Sequence, residues 1–253
     1  MVTPPWMKSP IWVGSPIDVR SGETALEALA KDNDQKYWKE DVGIVQVDEQ
    51  RWNRAQQYEA DTWMKHQLNT SSDRHNEHAG LFDNYQVLPN NLGDLLEIGC
   101  GPFTQTSTII RGRIAQSITL LDPLLEQYKR HPHCSYSKLS PAPTLLAKRG
   151  EDLDLVARFD TIICINVLEH VQDATVVLAN IRRAMKPGAI VIMGEKTYDD
   201  LDVSIIYDVG HPIRIKSAVL NEFNRDMIIL YANGDYFVAF QSSPIMGHGH
   251  PPK

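Results

Sequence analysis

The stretch Leu95-Leu96-Glu97-Ile98-Gly99-Cys100-Gly101-Pro102-Phe103-Thr104 decides the fold class. It reads as a buried strand that runs into a glycine turn and then a helix. A strand–turn–helix of this kind sets backbone N–H groups and a helix N-terminus against a ligand. Gly99 and Gly101 carry no Cβ, so the chain can turn sharply and a ligand can lie against the backbone.

Two nucleoside-type cofactors use such a loop. The nicotinamide-dinucleotide fingerprint is G-x-G-x-x-G, followed by an acid about 20 positions on for the ribose hydroxyls. Here the third glycine position holds Thr104, so that match is incomplete. The acid is present. Ser117-Ile118-Thr119-Leu120-Leu121 reads as a second buried strand, with Asp122 at its carboxyl end. Ligands of doubly wound sheets bind at that edge, and a carboxylate there can accept both hydroxyls of a ribose. Taken alone, the loop leaves open a plain strand–helix turn with structural glycines.

Working outward, strands are expected at about 94–98, 117–121, 144–149, 159–165 and 189–195. Helices are expected at about 104–113, 123–130, 173–186 and 214–224. This alternation implies parallel pairing. The chain then changes character. Met227 to Tyr231 and Tyr236 to Phe240 flank Ala232-Asn233-Gly234-Asp235, which reads as an antiparallel hairpin with an Asn-Gly turn.

Upstream, residues 1–20 hold Pro4, Pro5, Pro10, Gly14 and Pro16 and are expected to be irregular. Ser21 or Thr24 can cap a short helix through Ala30, and Asp48 can cap a stronger one over about 49–67. Trp52, Ala55, Ala60 and Trp63 share one side of that helix, Tyr58 and Met64 flank them, and Glu59 lies close by. Core packing is the favoured role of the two tryptophans over a ligand wall. A further helix is expected over about 72–86. The domain expectation is an irregular segment and helical cap over 1–90, a cofactor-binding α/β domain over 91–242 and a flexible tail over 243–253.

Composition is that of an ordinary globular chain: 253 residues, 42% hydrophobic and 23% charged. No apolar run reaches the roughly 18–20 residues that span a bilayer. The proline-rich N-terminus lacks the apolar core of a secretory signal. The cysteines, Cys100, Cys134 and Cys164, are odd in number, and Cys100 and Cys164 fall in core strands or the cofactor turn. They read as small buried hydrophobes, which suits a reducing cytoplasm. The net charge of −7 argues against nucleic acid as a partner. The best basic run, Lys129-Arg130-His131 with His133 and Lys138, reads as a solvated loop.

Further motifs follow in order: Arg149-Gly150-Glu151-Asp152-Leu153, then Phe159-Asp160-Thr161-Ile162-Ile163-Cys164-Ile165-Asn166-Val167-Leu168-Glu169-His170, then Met185-Lys186-Pro187-Gly188. With Glu97-Ile98-Gly99-Cys100-Gly101 and the strand-end Asp122, this order resembles the class I S-adenosylmethionine-dependent methyltransferases over about residues 90–245. The resemblance implies an α/β, Rossmann-like three-layer sandwich. Its sheet would be mostly parallel and seven-stranded, with a terminal antiparallel hairpin and an N-terminal helical cap. It also implies an S-adenosyl-L-methionine cofactor. Glu97 would then reach the methionine ammonium, directly or through water, with backbone from Gly99, Cys100 and Gly101. Asp122 would take the ribose hydroxyls, and Pro123 would start the next helix. Glu151 or Asp152 would accept the adenine amino group. Asn166 would end the fourth strand where the methyl group faces the acceptor.

The family's DNA and protein amino-methylating members carry Asn/Asp-Pro-Pro-aromatic at that strand end, whereas this chain has Asn166-Val167-Leu168-Glu169. The Pro-Cys signature of cytosine C5 methylation is also missing. What remains is oxygen, carbon or small-amine methylation, with a hydroxyl on a sugar, glycan or other small molecule as the expected acceptor. A hydroxyl acceptor is helped by a general base, and histidine suits that role. The candidates are His170 and His211, each weighed against a plain structural histidine. Asp199, Asp200 and Asp202 form an acidic cluster that reads as solvated, and no metal is expected there. His248 and His250 lie in the expected tail, which is read as a flexible end. Two other classes remain in view: a nicotinamide-dependent oxidoreductase, and an inactive methyltransferase-like binding module. Oligomeric state is not legible.

Overall fold

The computed structural model describes residues 34, 36–74, 87–200, 208–233 and 237–242. Its centre is built from the apolar runs. In β2 (Asp94–Ile98), Leu95, Leu96 and Ile98 are fully buried, and β3 (Ser117–Leu121) and β5 (Phe159–Ile165) are buried almost throughout. Strands covered on both faces read as continuous apolar runs, as parallel sheets require. β3 and β5 flank β2, pairing in parallel at Leu96↔Thr119 and Leu96↔Ile162. β4 (Thr144–Leu146) pairs with β3, and β6 (Met185–Gly194) with β5, both also parallel.

Beyond β6, β9 (Phe237–Ser242) runs antiparallel to it and β8 (Met227–Asn233) runs antiparallel to β9. The seven-stranded order is β4-β3-β2-β5-β6-β9-β8. This is the expected mostly parallel sheet closed by an antiparallel hairpin. Strand order reverses between β2 and β5, which opens a crevice beyond their carboxyl ends.

The helices are shorter than the sequence suggests. The expected helix at 104–113 condenses to α3 (Thr106–Ile109), and that at 123–130 to α4 (Leu125–Tyr128), which begins two residues after Pro123. α5 (Ala174–Ala184) is close to expectation; Asp173 caps it by accepting from the N–H groups of Thr175 and Val176. Val177, Leu178, Ile181 and Ala184 form its buried stripe. α6 (Ser217–Asn224) starts later than expected, because Arg214 and Ile215 form the short strand β7 instead. β7 pairs with β1 (Gly43–Ile44) in a separate two-stranded sheet. β4 stops at Leu146 rather than at 149.

The cap helix α1 (Glu49–Lys65) forms as its spacing predicts, with Asp48 accepting from the Arg51 N–H. A short α2 (Gln67–Ser71), unforeseen in the sequence, follows it. Ser72–Arg74 are not helical, and the rest of the expected 72–86 helix lies outside the described residues, as do the expected helix ending at Ala30 and the tail after 242.

A buried ionic cluster ties the cap down. Arg51, Arg214 and Asp34 have fully buried side chains. Arg51 Nε donates to Asp34 Oδ1 at 2.7 Å, and Arg214 Nη2 donates to Asp34 Oδ2 at 2.6 Å. Arg51 also donates to the Val209 and Asp208 carbonyls at 2.8 and 2.6 Å. One guanidinium fork thus joins α1 to the loop that carries His211.

Candidate active site

The cleft lies where the strand order reverses. Its floor is the turn after β2. Gly99 sits at φ 64° and Gly101 at φ 51°, in the left-handed region. A Cβ on Gly99 would meet Val167 Cγ2 at 2.5 Å, whereas one on Gly101 would meet nothing within 4 Å. Gly99 is therefore required by packing. Gly101 keeps open the space beside the cleft it lines.

Glu97, Gly99, Cys100, Gly101, Asp122, Pro123, Glu151, Asn166 and His170 all line this one cleft. Asp152 and His211 do not. Asp152 faces Arg149, whose Nε and Nη2 reach its two oxygens at 2.9 and 3.2 Å. Arg149 lies in turn 5.3 Å from the centre of the Trp52 ring. Glu151 lines the cleft and accepts from the Gln172 and Asp173 N–H groups at 2.7 and 3.0 Å. Of the two acids considered for the adenine amino group, Glu151 is the one beside the cleft.

Glu97 is buried, and its carboxylate holds the start of α3. Oε1 accepts from Gln105 N at 2.7 Å, while Oε2 accepts from Thr106 N at 3.0 Å and from the hydroxyls of Thr104 and Thr106. Burial raises its pKa against the pull of these bonds. The N-terminal N–H groups that could bind a phosphate are thus already paired with an internal carboxylate.

Asp122 closes the other side. Oδ1 accepts from Leu124 N at 2.8 Å and Oδ2 from Gly101 N at 3.0 Å. Burial pushes its carboxyl up to about 7, the two backbone bonds notwithstanding. A desolvated acid at a strand end, with capacity for further donors, suits a vicinal diol. Tyr136, which no motif singles out, donates to the Gly101 carbonyl at 2.5 Å and lies 3.3 Å from Cys100 Sγ, so it braces the turn.

Asn166 ends β5 at φ 59°, a conformation that asparagine tolerates better than most residues. Its N–H donates to the Gly194 carbonyl at 2.7 Å. Just below, Glu195 is buried and accepts from the N–H groups of Val167 and Leu168 at 3.0 and 3.1 Å. Burial pushes Glu195 up to about 8. The turn between Asn166 and His170 is therefore fixed from beneath by a carboxylate that the motifs did not reveal.

From above, α1 fixes the same turn. Trp52 Nε1 and Gln56 Nε2 both donate to the His170 carbonyl, at 3.1 and 2.9 Å. Trp52, Glu59 and Trp63 line the cleft; Trp52 and Trp63 also pack against the buried core as expected, so each serves both as packing and as cleft wall. Trp63 packs against Phe103, ring centres 5.4 Å apart.

The structure brings the two candidate histidines together. Their rings are centred 4.7 Å apart, with Glu169 beside both. Glu169 Oε1 is 3.7 Å from His170 Nε2 and 3.6 Å from His211 Nε2. His211 Nδ1 reaches Asp208 at 2.5 Å, and His170 Nδ1 reaches the Gly210 carbonyl at 3.2 Å. Burial opposes charge on His211, but Glu169 and Asp208 outweigh it and hold its pKa at about 9. Burial would raise Asp208, yet its bond to His211 keeps it at about 2. Neither Glu169 nor Asp208 was singled out in the sequence. The adjacency of Glu169 to His170, and the three-residue spacing from Asp208 to His211, were the available signals. Of the acidic cluster, Asp199 accepts from Ser217 N and Oγ at the start of α6 and Asp200 is exposed, while Asp202 lies outside the described residues.

Comparison with known proteins adds a family. Residues 72–225 match the model of a methyltransferase domain family. The ubiquinone biosynthesis O-methyltransferase of Pasteurella multocida (strain Pm70) is 28% identical over 109 residues, covering 38% of this chain and 43% of that protein. The chain spans less than half the length of the curated relatives it matches. Among solved structures, the [4+2]-cyclase SpnF superposes with a TM-score of 0.57 at 15% identity, covering 81% of this chain and 100% of its own. The Burkholderia thailandensis 1,6-didemethyltoxoflavin-N1-methyltransferase with bound 1,6-didemethyltoxoflavin and S-adenosylhomocysteine scores 0.54 at 13% identity, covering 80% and 95%. These two likenesses are of fold. No described helix is long and apolar enough to cross a membrane.

Proposed function

The chain belongs to the methyltransferase domain family, and from that premise we propose that it is an S-adenosylmethionine-dependent methyltransferase acting on a hydroxyl of a sugar, glycan or other small molecule. When bound, the cofactor supplies an electrophilic methyl group on a sulfonium. The residues present fit such a group. Gly101 leaves open space at the turn, and Asp122 offers a buried acid to a ribose diol. Glu151 stands at the side of the cleft where adenine is expected, and Trp52 and Trp63 wall it.

The pairing of Glu97 with the α3 N-terminus favours this cofactor over a nicotinamide dinucleotide. A pyrophosphate needs free N–H groups and a positive field at that helix start. Here Gln105 N and Thr106 N already donate to a carboxylate, whose charge repels phosphate. S-adenosylmethionine carries no phosphate, so nothing is lost.

The observation that carries the hydroxyl acceptor is the His170–Glu169–His211 group at the Asn166 end of the cleft. A hydroxyl must lose its proton as the O–CH3 bond forms and the S–CH3 bond breaks. His170, the member of the group that lines the cleft, is placed to receive that proton, directly or on its way to water. The protein otherwise orients the acceptor and excludes water. The relative named for O-methylation agrees with this choice, but does not name this chain's acceptor. The test is transfer from cofactor labelled in its methyl group to panels of sugars, glycans, phenols and amines, read by mass spectrometry. An O-methyl product is expected. Label found only on nitrogen or carbon would remove the hydroxyl assignment. Failure to bind the cofactor would remove the methyltransferase assignment itself.

A further inference from the structure

We propose that Glu169, His170 and His211 form a binding site for a divalent transition-metal ion of the Zn2+ type, at the acceptor end of the cleft. The role of that ion in handling the acceptor rests on the methyltransferase assignment above. Its binding does not.

The first argument is geometric. One ligand atom from each of the three side chains lies within 4.8 Å of the others. Glu169 Oε1 stands 3.7 and 3.6 Å from the two Nε2 atoms. Tetrahedral zinc with bonds of about 2.0–2.1 Å separates its ligand atoms by roughly 3.3 Å. For the two Glu169 pairs, an inward shift of a few tenths of an ångström closes the difference, and the ligand atoms of the two histidines lie within 4.8 Å of each other.

The second argument is the orientation of the rings. A metal-ligating histidine almost always donates its other ring N–H to a carboxylate or a backbone carbonyl. Both histidines do this here. A carbonyl can only accept, so His170 Nδ1 is the protonated nitrogen in its bond to Gly210 at 3.2 Å. His211 Nδ1 likewise donates to Asp208 at 2.5 Å. In the neutral rings each Nε2 then presents its lone pair toward Glu169.

The third argument is charge and access. The carboxylates of Glu169, Asp208 and Glu59 surround the two imidazoles, Glu59 at 3.9 Å from His170 Nδ1. The side chains of Glu169, His170 and His211 are 10%, 18% and 22% exposed, so they are largely desolvated yet reachable. Two nitrogens and one carboxylate select a borderline ion such as Zn2+, Co2+ or Fe2+ rather than Mg2+ or Ca2+, which favour all-oxygen sets. Three protein ligands leave a coordination position for substrate, and His170 lines the cleft. The acceptor class that fits that position is one offering an oxygen donor. Its hydroxyl proton would leave to water more readily beside the cation. From the sequence no residue is assigned as a metal ligand, and this site lies apart from the acidic cluster considered there.

A proton on His211, held between Glu169 and Asp208, is the competing occupant. The test uses the full chain, treated with chelator and titrated with Zn2+ alone and with Co2+ alone, by calorimetry in two buffers and by visible absorption. The expected result is one ion per chain at micromolar affinity or tighter, with proton release and visible Co2+ bands. His170→Gln and His211→Gln should each weaken binding at least about 100-fold, and Asp208→Asn about 10–100-fold. A His248→Gln/His250→Gln double variant should bind unchanged. Absence of saturable binding overturns the site, and so does binding that survives both His170→Gln and His211→Gln. If His211→Gln fails to fold by circular dichroism, Glu169→Gln replaces it, and unchanged affinity there overturns the site equally. S-adenosylhomocysteine binding is measured on the same samples. Cofactor binding without ion binding removes the metal site alone, whereas ion binding without cofactor binding removes the methyltransferase assignment alone.

Discussion

Replacing Arg51 with Met should bring the protein close to unfolding. The side chain is fully buried and makes four hydrogen bonds: two to Asp34, one to the Asp208 carbonyl and one to the Val209 carbonyl. Methionine fills much of the volume but makes none of them. Among the described residues, Asp34 would keep only Arg214 as a charged partner. Removing one member of a buried ion pair costs about 3–5 kcal/mol, because the remaining charge stays desolvated. Stranding the Val209 carbonyl adds about 1 kcal/mol or more. A total near 5 kcal/mol is a large share of the roughly 5–15 kcal/mol that stabilises a typical domain. For a chain of this size it should lower the melting midpoint by roughly 10–20 °C. Urea titration and calorimetry measure both quantities. Arg51→Lys, which keeps the charge but loses the fork, should fall between the two proteins. An Arg51→Met/Asp34→Asn cycle should show a coupling of at least about 2 kcal/mol. A loss below about 1 kcal/mol for Arg51→Met, or no coupling to Asp34, would refute the assignment of the cluster as the anchor of the cap.

Asp122→Asn should weaken S-adenosylhomocysteine binding about 10–100-fold by calorimetry, because a diol loses a charged acceptor. In the parent protein, burial holds Asp122 near 7 in the free state, and donors from a diol lower that value on binding. Affinity should therefore fall as pH drops below 7, and binding should release protons there; a flat profile between pH 6 and 8 sinks the idea. Gly101→Ala should fold, at a cost of about 1–2 kcal/mol for its left-handed backbone, yet lose cofactor affinity. Gly99→Ala should be markedly less stable than Gly101→Ala in urea, since its Cβ meets Val167 at 2.5 Å. Glu195 has a folded value of about 8 against an ordinary 4.5, so the folded state holds the extra proton between those limits. Its stabilising effect is complete below about pH 4.5 and is lost as pH rises to 8, by up to about 5 kcal/mol. Glu195→Gln should flatten the loss of urea midpoint between pH 6 and 8, and an unchanged slope would count against it.

The sheet was legible because its strands are apolar runs ended by glycine, a carboxylate or asparagine: 94–98, 117–121 and 159–165 are found with the expected bounds. The helices beside the cleft were overread: residues 104–113 are rich in threonine and isoleucine and include Gly112, all poor helix formers, so only Thr106–Ile109 is helical, with Glu97 accepting from its first N–H groups. The buried trio Asp34, Arg51 and Arg214 left no trace in the sequence. Charged residues default to the surface in any pattern-based expectation, and these three are separated by up to 180 positions. Helical periodicity placed Trp52 and Trp63 on the inward face of α1, where they do pack against the core, but it could not show that the same face also borders a cleft. His170 and His211 were each visible as candidates. Their meeting at Glu169 was not, since it depends on how the loop before β7 folds back over the carboxyl edge.

The position of β9 has a consequence for how the chain assembles. Last in sequence among the described strands, it lies inside the sheet, between β6 and β8. Until residues 237–242 arrive, the β6 edge at Ile190 to Met193 has no partner on that side. During synthesis, β2 to β6 can pair while β8 and that apolar edge both wait for β9, and an open edge invites pairing with another chain. Pairing of β9 between β6 and β8 is therefore the step that closes this sheet and covers the open edge.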